Sequence, residues 1–315
     1  MTLRLSMVGS GAIARVHAGI FGREGVAFET VVGRLAEDAA AFATEFGFKR
    51  SGIDWEALEG DASDAVVITS PSELHYAHVK RALLAGKHVL AEIPLAMSHA
   101  EGRELAELAQ RQGKSLMVAH SRRFIAALAA LRARVAGGTL RVHHLVARWG
   151  IPRRQNLGWT GRPRSWKDSL LWHHGCHMVD FALWFLQATE VEVLAQVSRP
   201  DRHTGIPMDL DILLRTPTDQ LIALSLSFNP HMRIEEYLIV GEEETLRFDQ
   251  GRIYGQNGRR EDLERDPTTS REASWEAQDR EFLAALREGR PPAVSGPDVL
   301  PALAVLQRIQ DQFVR

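Results

Sequence analysis

Cysteine is all but missing. Cys176 is the one thiol in 315 residues, so no intramolecular disulfide can form, and the composition fits a reducing cytosol. An excess of charge of one sign is missing too. The formal net charge is −2, which argues against a general nucleic-acid or membrane-surface binder. No apolar run approaches the roughly 18 residues of a membrane span. No signal-peptide pattern precedes the first apolar alternation, so a cytoplasmic location is expected. Internal repeats and low-complexity segments are absent, which removes solenoids and disordered tails. What is left is a globular composition, 45% hydrophobic and 25% charged. The chain is long enough for two domains, each with its own core.

The first ~120 residues alternate between short apolar runs and helical patterns. Strands are expected at 3–8, 28–33, 65–70, 87–91 and 115–119. Helices are expected after residue 9 and at 36–46, 74–84 and 98–112. Such alternation predicts a parallel sheet with helices on both faces. Beyond residue 120 the rhythm changes. A helix at 124–135, a strand at 139–149 and a polar loop at 150–168 lead into a helix ending near 186. Strands at 191–198, 208–215, 219–228, 234–240 and 244–249 follow with few helices between them. They predict a mostly antiparallel sheet. Helices at 274–288 and 297–313 end the chain, divided at Arg290-Pro291-Pro292. The expected class is α/β. A Rossmann doubly wound sheet occupies 1–121. An α+β domain with a large, open, mostly antiparallel sheet occupies 122–315.

Gly9-Ser10-Gly11-Ala12-Ile13-Ala14 fits G-x-G-x-x-A at the junction of the first strand and first helix. The glycines allow a tight turn and let the backbone approach a pyrophosphate. The alanine lets helix and strand pack closely. An NAD site usually carries Asp or Glu at the end of the second strand. Here Gly33 and Arg34 stand there, and a guanidinium suits a 2′-phosphate. NADP is therefore expected over NAD.

His173-His174-Gly175-Cys176-His177 lies just beyond a stretch rich in arginine and tryptophan. Imidazole exchanges protons near neutral pH, and guanidinium clamps carboxylates. His173 and His177 are four apart, so one helix face carries both, with Asp180 placed to orient His177. His174 points elsewhere and is the second choice as proton acceptor. Arg122, Arg123, Arg153, Arg154 and Arg164 are candidate clamps at the mouth of a cleft. Trp149, Trp159, Trp166 and Trp172 are candidate walls for a flat ring. Histidine spacing permits a metal, but the arginines repel a cation and no further ligand is apparent, so none is expected. Cys176 reads as packing, and His17, His99 and His203 read as surface residues.

Several motifs carry a family resemblance. Ala65-Val66-Val67-Ile68-Thr69-Ser70-Pro71-Ser72, with His75 three residues on, is one. Ala85-Gly86-Lys87-His88-Val89-Leu90-Ala91-Glu92-Ile93-Pro94 is another, and Gln278-Asp279-Arg280-Glu281-Phe282 a third. They resemble the glucose–fructose oxidoreductase, inositol dehydrogenase and rhizopine-catabolism family, Gfo/Idh/MocA. The resemblance implies an NAD(P)-dependent dehydrogenase acting on a CH–OH group. Its open C-terminal sheet carries substrate and a partner subunit, here a homodimer or homotetramer. Matching the motifs assigns Gly9, Gly11, Ala12, Ile13, Gly33, Arg34, Thr69, Ser70, Pro71, His75, Glu92, Ile93 and Pro94 to the cofactor. The family's signature is Glu-Lys-Pro plus Asp-x-x-x-His. This chain has Ile93 for the lysine and His173 for the aspartate, with His177 at the histidine place.

One branch of the family shares these departures: the dehydrogenases of 4-carboxy-2-hydroxymuconate semialdehyde, in aromatic compound catabolism. The chain resembles it at Glu92-Ile93-Pro94-Leu95-Ala96 and most of all from Pro163-Arg164-Ser165-Trp166 to Trp172-His173-His174 and His177. It departs at Ile125-Ala126 and Leu157-Gly158. The implied substrate is a cyclic hemiacetal with two carboxylates, oxidised to a pyrone dicarboxylate. Its acidic hydroxyl needs only a neutral histidine as base. Arg122, Arg123, Arg153, Arg154, Arg164, Trp166 and His177 are the implied substrate contacts, and His173, His177 and His174 the implied catalytic set. Two other readings stay open: a sugar or cyclitol dehydrogenase of the same family, and a non-catalytic NADP sensor.

Overall fold

The computed structural model describes residues 2–155, 157, 169–249, 251–255, 258–259 and 270–313. The chain divides into two compact units.

In the first unit the elements run β1 (Arg4–Val8), α1 (Ala12–Arg23), β2 (Ala27–Val32), α2 (Ala36–Phe46), β3 (Arg50–Gly52), β4 (Ala65–Ile68), α3 (His75–Leu84), β5 (His88–Ala91), α4 (His99–Arg111) and β6 (Leu116–Val118). All strand pairs are parallel, in the order β3-β2-β1-β4-β5-β6. β4 is buried along its whole length, as the centre of a sheet covered on both faces must be. Helix starts follow local chemistry. Ser98 caps α4 by accepting a hydrogen bond from the Glu101 N–H at 3.2 Å.

Residues up to His120 cluster with Trp275–Leu300. Phe282 meets Phe21 ring to edge at 6.5 Å, and the Val118 N–H donates to the Val294 carbonyl at 2.9 Å. The sequence reading gave everything after residue 121 to the second domain. That assignment is corrected for this returning segment. An amphipathic helix announces that it buries one face, not which sheet it buries it against.

The second unit begins at Ser121 and contains α5 (Ala126–Ala136), β7 (Val142–Gly150), α6 (Cys176–Leu186), β8 (Glu192–Val197), β9 (Asp209–Arg215), β10 (Leu221–Ser227), β11 (Ile234–Gly241), β12 (Thr245–Asp249), β13 (Arg252–Gly255) and β14 (Gly258–Arg259). α7 (Arg271–Glu288) carries the chain to the first unit, and α8 (Leu300–Phe313) returns to the second. The eight strands lie in the order β14-β13-β12-β11-β7-β10-β9-β8. β7 and β10 are parallel and the other pairs antiparallel, matching the expected character. β9 shows why the sheet has two faces. Leu210, Ile212 and Leu214 are buried while Asp211 and Arg215 are exposed. Phe181 and Phe185 of α6 join Tyr237 and Phe248 in an aromatic core. The expected continuous helix up to residue 186 is instead a π-helical turn, Ser169–Gly175, followed by α6. Single π-turns within helices are often found at functional sites.

Candidate active site

β1 ends in a turn that only glycine satisfies. Gly9 has φ +115°, and a Cβ there would lie 2.4 Å from Thr69 Oγ1. Gly11 caps α1 without a side-chain hydrogen bond, and a Cβ on it would meet nothing within 4 Å. The first N–H groups of α1, at Ala12 and Ile13, thus form a cradle for an anion. Gly33 is tight as well: a Cβ would sit 2.9 Å from Ser10 Oγ. These features fit a dinucleotide pyrophosphate. Arg34 follows β2 and is exposed. Thr69 and Ser70, followed by Pro71, continue β4. His75 is buried, and its ring nitrogens lie 2.7 Å from the Pro94 carbonyl and 2.7 Å from the Ser70 carbonyl. It ties the ends of β4 and β5 together beneath the crevice. This corrects the expectation of direct cofactor contact, since backbone groups occupy both nitrogens. Ile93, in the lysine's place, is 6% exposed.

His17 overturns its reading as a surface residue. It is fully buried in α1. Nδ1 lies 2.7 Å from Asp279 Oδ2 and Nε2 lies 3.0 Å from Glu92 Oε1. All three residues belong to the first unit. Burial disfavours the imidazolium, but the two carboxylates outweigh it and raise the His17 pKa to about 10. Burial pushes Glu92 upward, but His17 and the Ile93 N–H more than offset it, holding the carboxyl below its usual range. The signal for this cluster was the Gln278-Asp279 motif, whose target no local pattern discloses.

In the second unit, the π-turn and α6 display the three histidines. His173 and His177 are half-buried and His174 is buried. The His174 ring stacks on Trp149, with centroids 3.5 Å apart, and meets Phe228 edge-on at 5.5 Å. His173 meets it edge-on at 4.2 Å. Among the described residues, neither His174 nitrogen, nor the Trp149 Nε1, has a hydrogen-bond partner. Burial, followed by the charges of His173, His177, Arg153 and Arg122, pulls the His174 pKa well below its ordinary value. His174 therefore stays neutral and is a poor proton acceptor.

The arginines divide. Arg122 Nε donates to the Tyr237 hydroxyl at 2.9 Å, and Nη2 lies 3.4 Å from Glu235. Arg123 donates through Nε and Nη2 to the two oxygens of Asp180, at 2.9 and 2.6 Å. Both are corrected from substrate clamps to framework, because buried partners hold their guanidiniums. The same fork fixes the Asp180 carboxylate on α6. Arg153 lies over the Phe228 ring, 5.3 Å from its centroid. Arg154 is exposed and donates to Asn229 Oδ1 at 2.5 Å. Trp172, expected as a ring wall, is buried and donates to Gln310 of α8. Arg164, Trp159 and Trp166 lie outside the described residues. Among the described residues, no three His, Cys, Asp or Glu side chains gather as metal ligands, and no helix is long and apolar enough to cross a membrane.

Comparison with known proteins gives this geometry a context. Residues 3–120 match the oxidoreductase family with NAD-binding Rossmann fold (GFO_IDH_MocA), and residues 127–249 match the bacterial oxidoreductase C-terminal family. A 4-carboxy-2-hydroxymuconate-6-semialdehyde dehydrogenase from Sphingobium is 35% identical over 99% of both chains. The chain belongs to the Gfo/Idh/MocA oxidoreductase family. As in other Gfo/Idh/MocA dehydrogenases, its activity is NAD(P)-dependent oxidoreduction. An inositol 2-dehydrogenase from Acidothermus cellulolyticus is 29% identical, covering 94% of this chain and 87% of its own. A levoglucosan dehydrogenase structure, in complex with NADH and levoglucosan, shares the fold with a TM-score of 0.87 at 19% identity. The match covers 100% of this chain and 98% of that one.

Proposed function

We propose that this Gfo/Idh/MocA protein oxidises a carboxylated cyclic hemiacetal, of the 4-carboxy-2-hydroxymuconate semialdehyde type, with NADP as the preferred cofactor. One observation carries the reading. Among the described residues, a buried Trp149–His174 stack holds three nitrogens without hydrogen-bond partners, beside two half-buried histidines and Arg153. Buried polar atoms without partners call for an occupant that can bond them. A flat, polar, anionic ring answers that need. The identity with the Sphingobium semialdehyde dehydrogenase supports the same substrate class.

The site residues divide the work as follows. A nicotinamide dinucleotide held at Gly9, Gly11 and the α1 N-terminus would supply the hydride-accepting chemistry. His173 or His177 takes the hydroxyl proton, since His174 is too weakly basic. His174 and Trp149 bond and stack the ring. Arg153, Arg154 and Arg164 hold the carboxylates. Loss of the family's lysine at Ile93 is tolerable because a hemiacetal hydroxyl is more acidic than an ordinary alcohol. Gly9, Gly11 and the α1 N-terminus hold the pyrophosphate, and Arg34 takes the 2′-phosphate. The test is direct. Purified protein with NADP and the cyclised semialdehyde is expected to give rising absorbance of the reduced nicotinamide, and a lower Kd for NADP than for NAD. Turnover of inositol or levoglucosan alone, or tighter binding of NAD, overturns the respective part. With no turnover of any candidate, the sensor reading takes over.

We also propose a homodimer or tetramer built on the outer sheet face. One register row crosses β8, β9, β10, β7 and β11 as Leu194, Leu213, Ala223, Val146 and Leu238. Leu194 and Leu213 are 70% and 55% exposed. An apolar row of this kind suits a self-complementary two-fold contact. Leu213→Glu is expected to shift the sedimentation coefficient to that of a monomer. An unchanged coefficient overturns this surface as the contact.

A further inference from the structure

Gly9, Thr69 and Glu92 continue three neighbouring parallel strands at one level. Val8 pairs with Ile68, and Ile68 with Ala91. The Thr69 N–H donates to the Val8 carbonyl at 2.8 Å and the Glu92 N–H to the Ile68 carbonyl at 2.9 Å. In an open α/β sheet, ligands lie beyond the carboxyl ends of the strands where the strand order reverses. Here the reversal falls between β1 and β4. Arg34 stands after β2, on one side of it. Glu92 stands after β5, on the other. A dinucleotide with its pyrophosphate at Gly9–Gly11 and its 2′-phosphate toward Arg34 therefore sends its nicotinamide end toward Glu92.

The Glu92 carboxylate is fixed at both oxygens. Oε1 lies 3.0 Å from His17 Nε2, and Oε2 accepts from the Ile93 N–H at 3.2 Å. His17 is itself held at Nδ1 by Asp279, 2.7 Å away. The side chains of His17 and Asp279 are fully buried, whereas that of Glu92 is 18% exposed. The cluster thus leaves one partly exposed carboxylate at the carboxyl end of β5. Apolar packing would join a helix and a strand end at lower desolvation cost than three buried ionisable groups. A purpose for the charge is the simpler account.

We infer that Glu92, pinned by the Asp279–His17 pair, is a fixed negative charge that favours the oxidised, cationic nicotinamide over its neutral, reduced form. Glu92 acts on the ring's charge directly. His17 and Asp279 act through Glu92 and are positioning residues. The inference rests on the dinucleotide-binding reading of the fold. A unit charge a few ångströms from the ring, partly shielded from water, is worth about tenfold in affinity.

The test needs no substrate. Wild type, Glu92→Gln, His17→Gln and Asp279→Asn are each titrated with NADP and with NADPH, following tryptophan fluorescence. Glu92→Gln is expected to raise the Kd for NADP about tenfold and that for NADPH less than about twofold. Asp279→Asn, which removes a buried negative charge, is expected to shift the same ratio in the same direction by a smaller factor, and His17→Gln, which removes the imidazolium 3.0 Å from Glu92, to shift it in the opposite direction. If the two buried variants do not fold, Glu92→Gln, which is isosteric and partly exposed, still decides. Equal changes for both redox forms, or no change in either, overturn the inference while leaving cofactor binding intact. Wild type that binds neither dinucleotide overturns the cofactor reading and the inference together.

Discussion

A His173→Ala or His177→Ala enzyme is expected to turn over about two to four orders of magnitude more slowly, whichever of the two carries the base. The size follows from what general-base catalysis contributes. Oxidation of a hemiacetal releases a hydroxyl proton along with the hydride, and a positioned imidazole removes the need for solvent to take it. The structure narrows the candidates. His174 is buried, with its pKa depressed first by desolvation and then by His173, His177 and the nearby arginines. A group so reluctant to protonate is a poor acceptor. His174→Phe keeps the stack on Trp149 and is expected to raise KM while largely sparing kcat. The base variant lowers kcat instead, and it loses the acidic limb of the kcat/KM profile, because the wild type must first shed the base's proton. Steady-state kinetics over a pH series separates the two patterns. Unimpaired turnover in both His173→Ala and His177→Ala would refute the assignment.

Much of this was open to reading before any coordinates. The Gly9-to-Ala14 run announces its turn because Gly9 takes a positive φ that other residues rarely adopt, and β9 announces its faces through the partial alternation of Asp209, Leu210, Asp211 and Ile212. What stayed hidden depends on partners remote in the chain. His17 looks like any polar residue on a first helix until Asp279, 262 positions away, is placed beside it. The π-turn at Ser169–Gly175 has no composition of its own. The arginine-rich stretch misled in a specific way. Guanidinium chemistry shows that Arg122 and Arg123 seek anions or acceptors, but both a substrate carboxylate and a buried Asp180 meet that description. Only burial distinguishes them.

That ambiguity at Arg123 leads to the second large effect, on stability. Asp180→Ala is expected to destabilise the protein by about 3–5 kcal/mol in urea unfolding. The side chains of Arg123 and Asp180 are 8% and 1% exposed, and their fork consists of two charge-assisted hydrogen bonds. Removing the carboxylate strips a nearly buried guanidinium of two charge-assisted hydrogen bonds. Trp184 cannot compensate. Its ring lies 6.0 Å from the Arg123 carbon centre, a cation–π contact of modest worth. The charge of the abandoned partner, more than the lost attraction, sets the cost. Removing both charges should therefore hurt less than removing one. Arg123→Met with Asp180→Leu is expected to regain most of the loss, because two ions were desolvated to make the pair. A substrate-clamping Arg123 would behave differently. Its single variant would leave the unfolding midpoint near wild type and raise KM. Urea midpoints for the two singles and the double, read beside KM for Arg123→Met, distinguish a framework pair from a clamp.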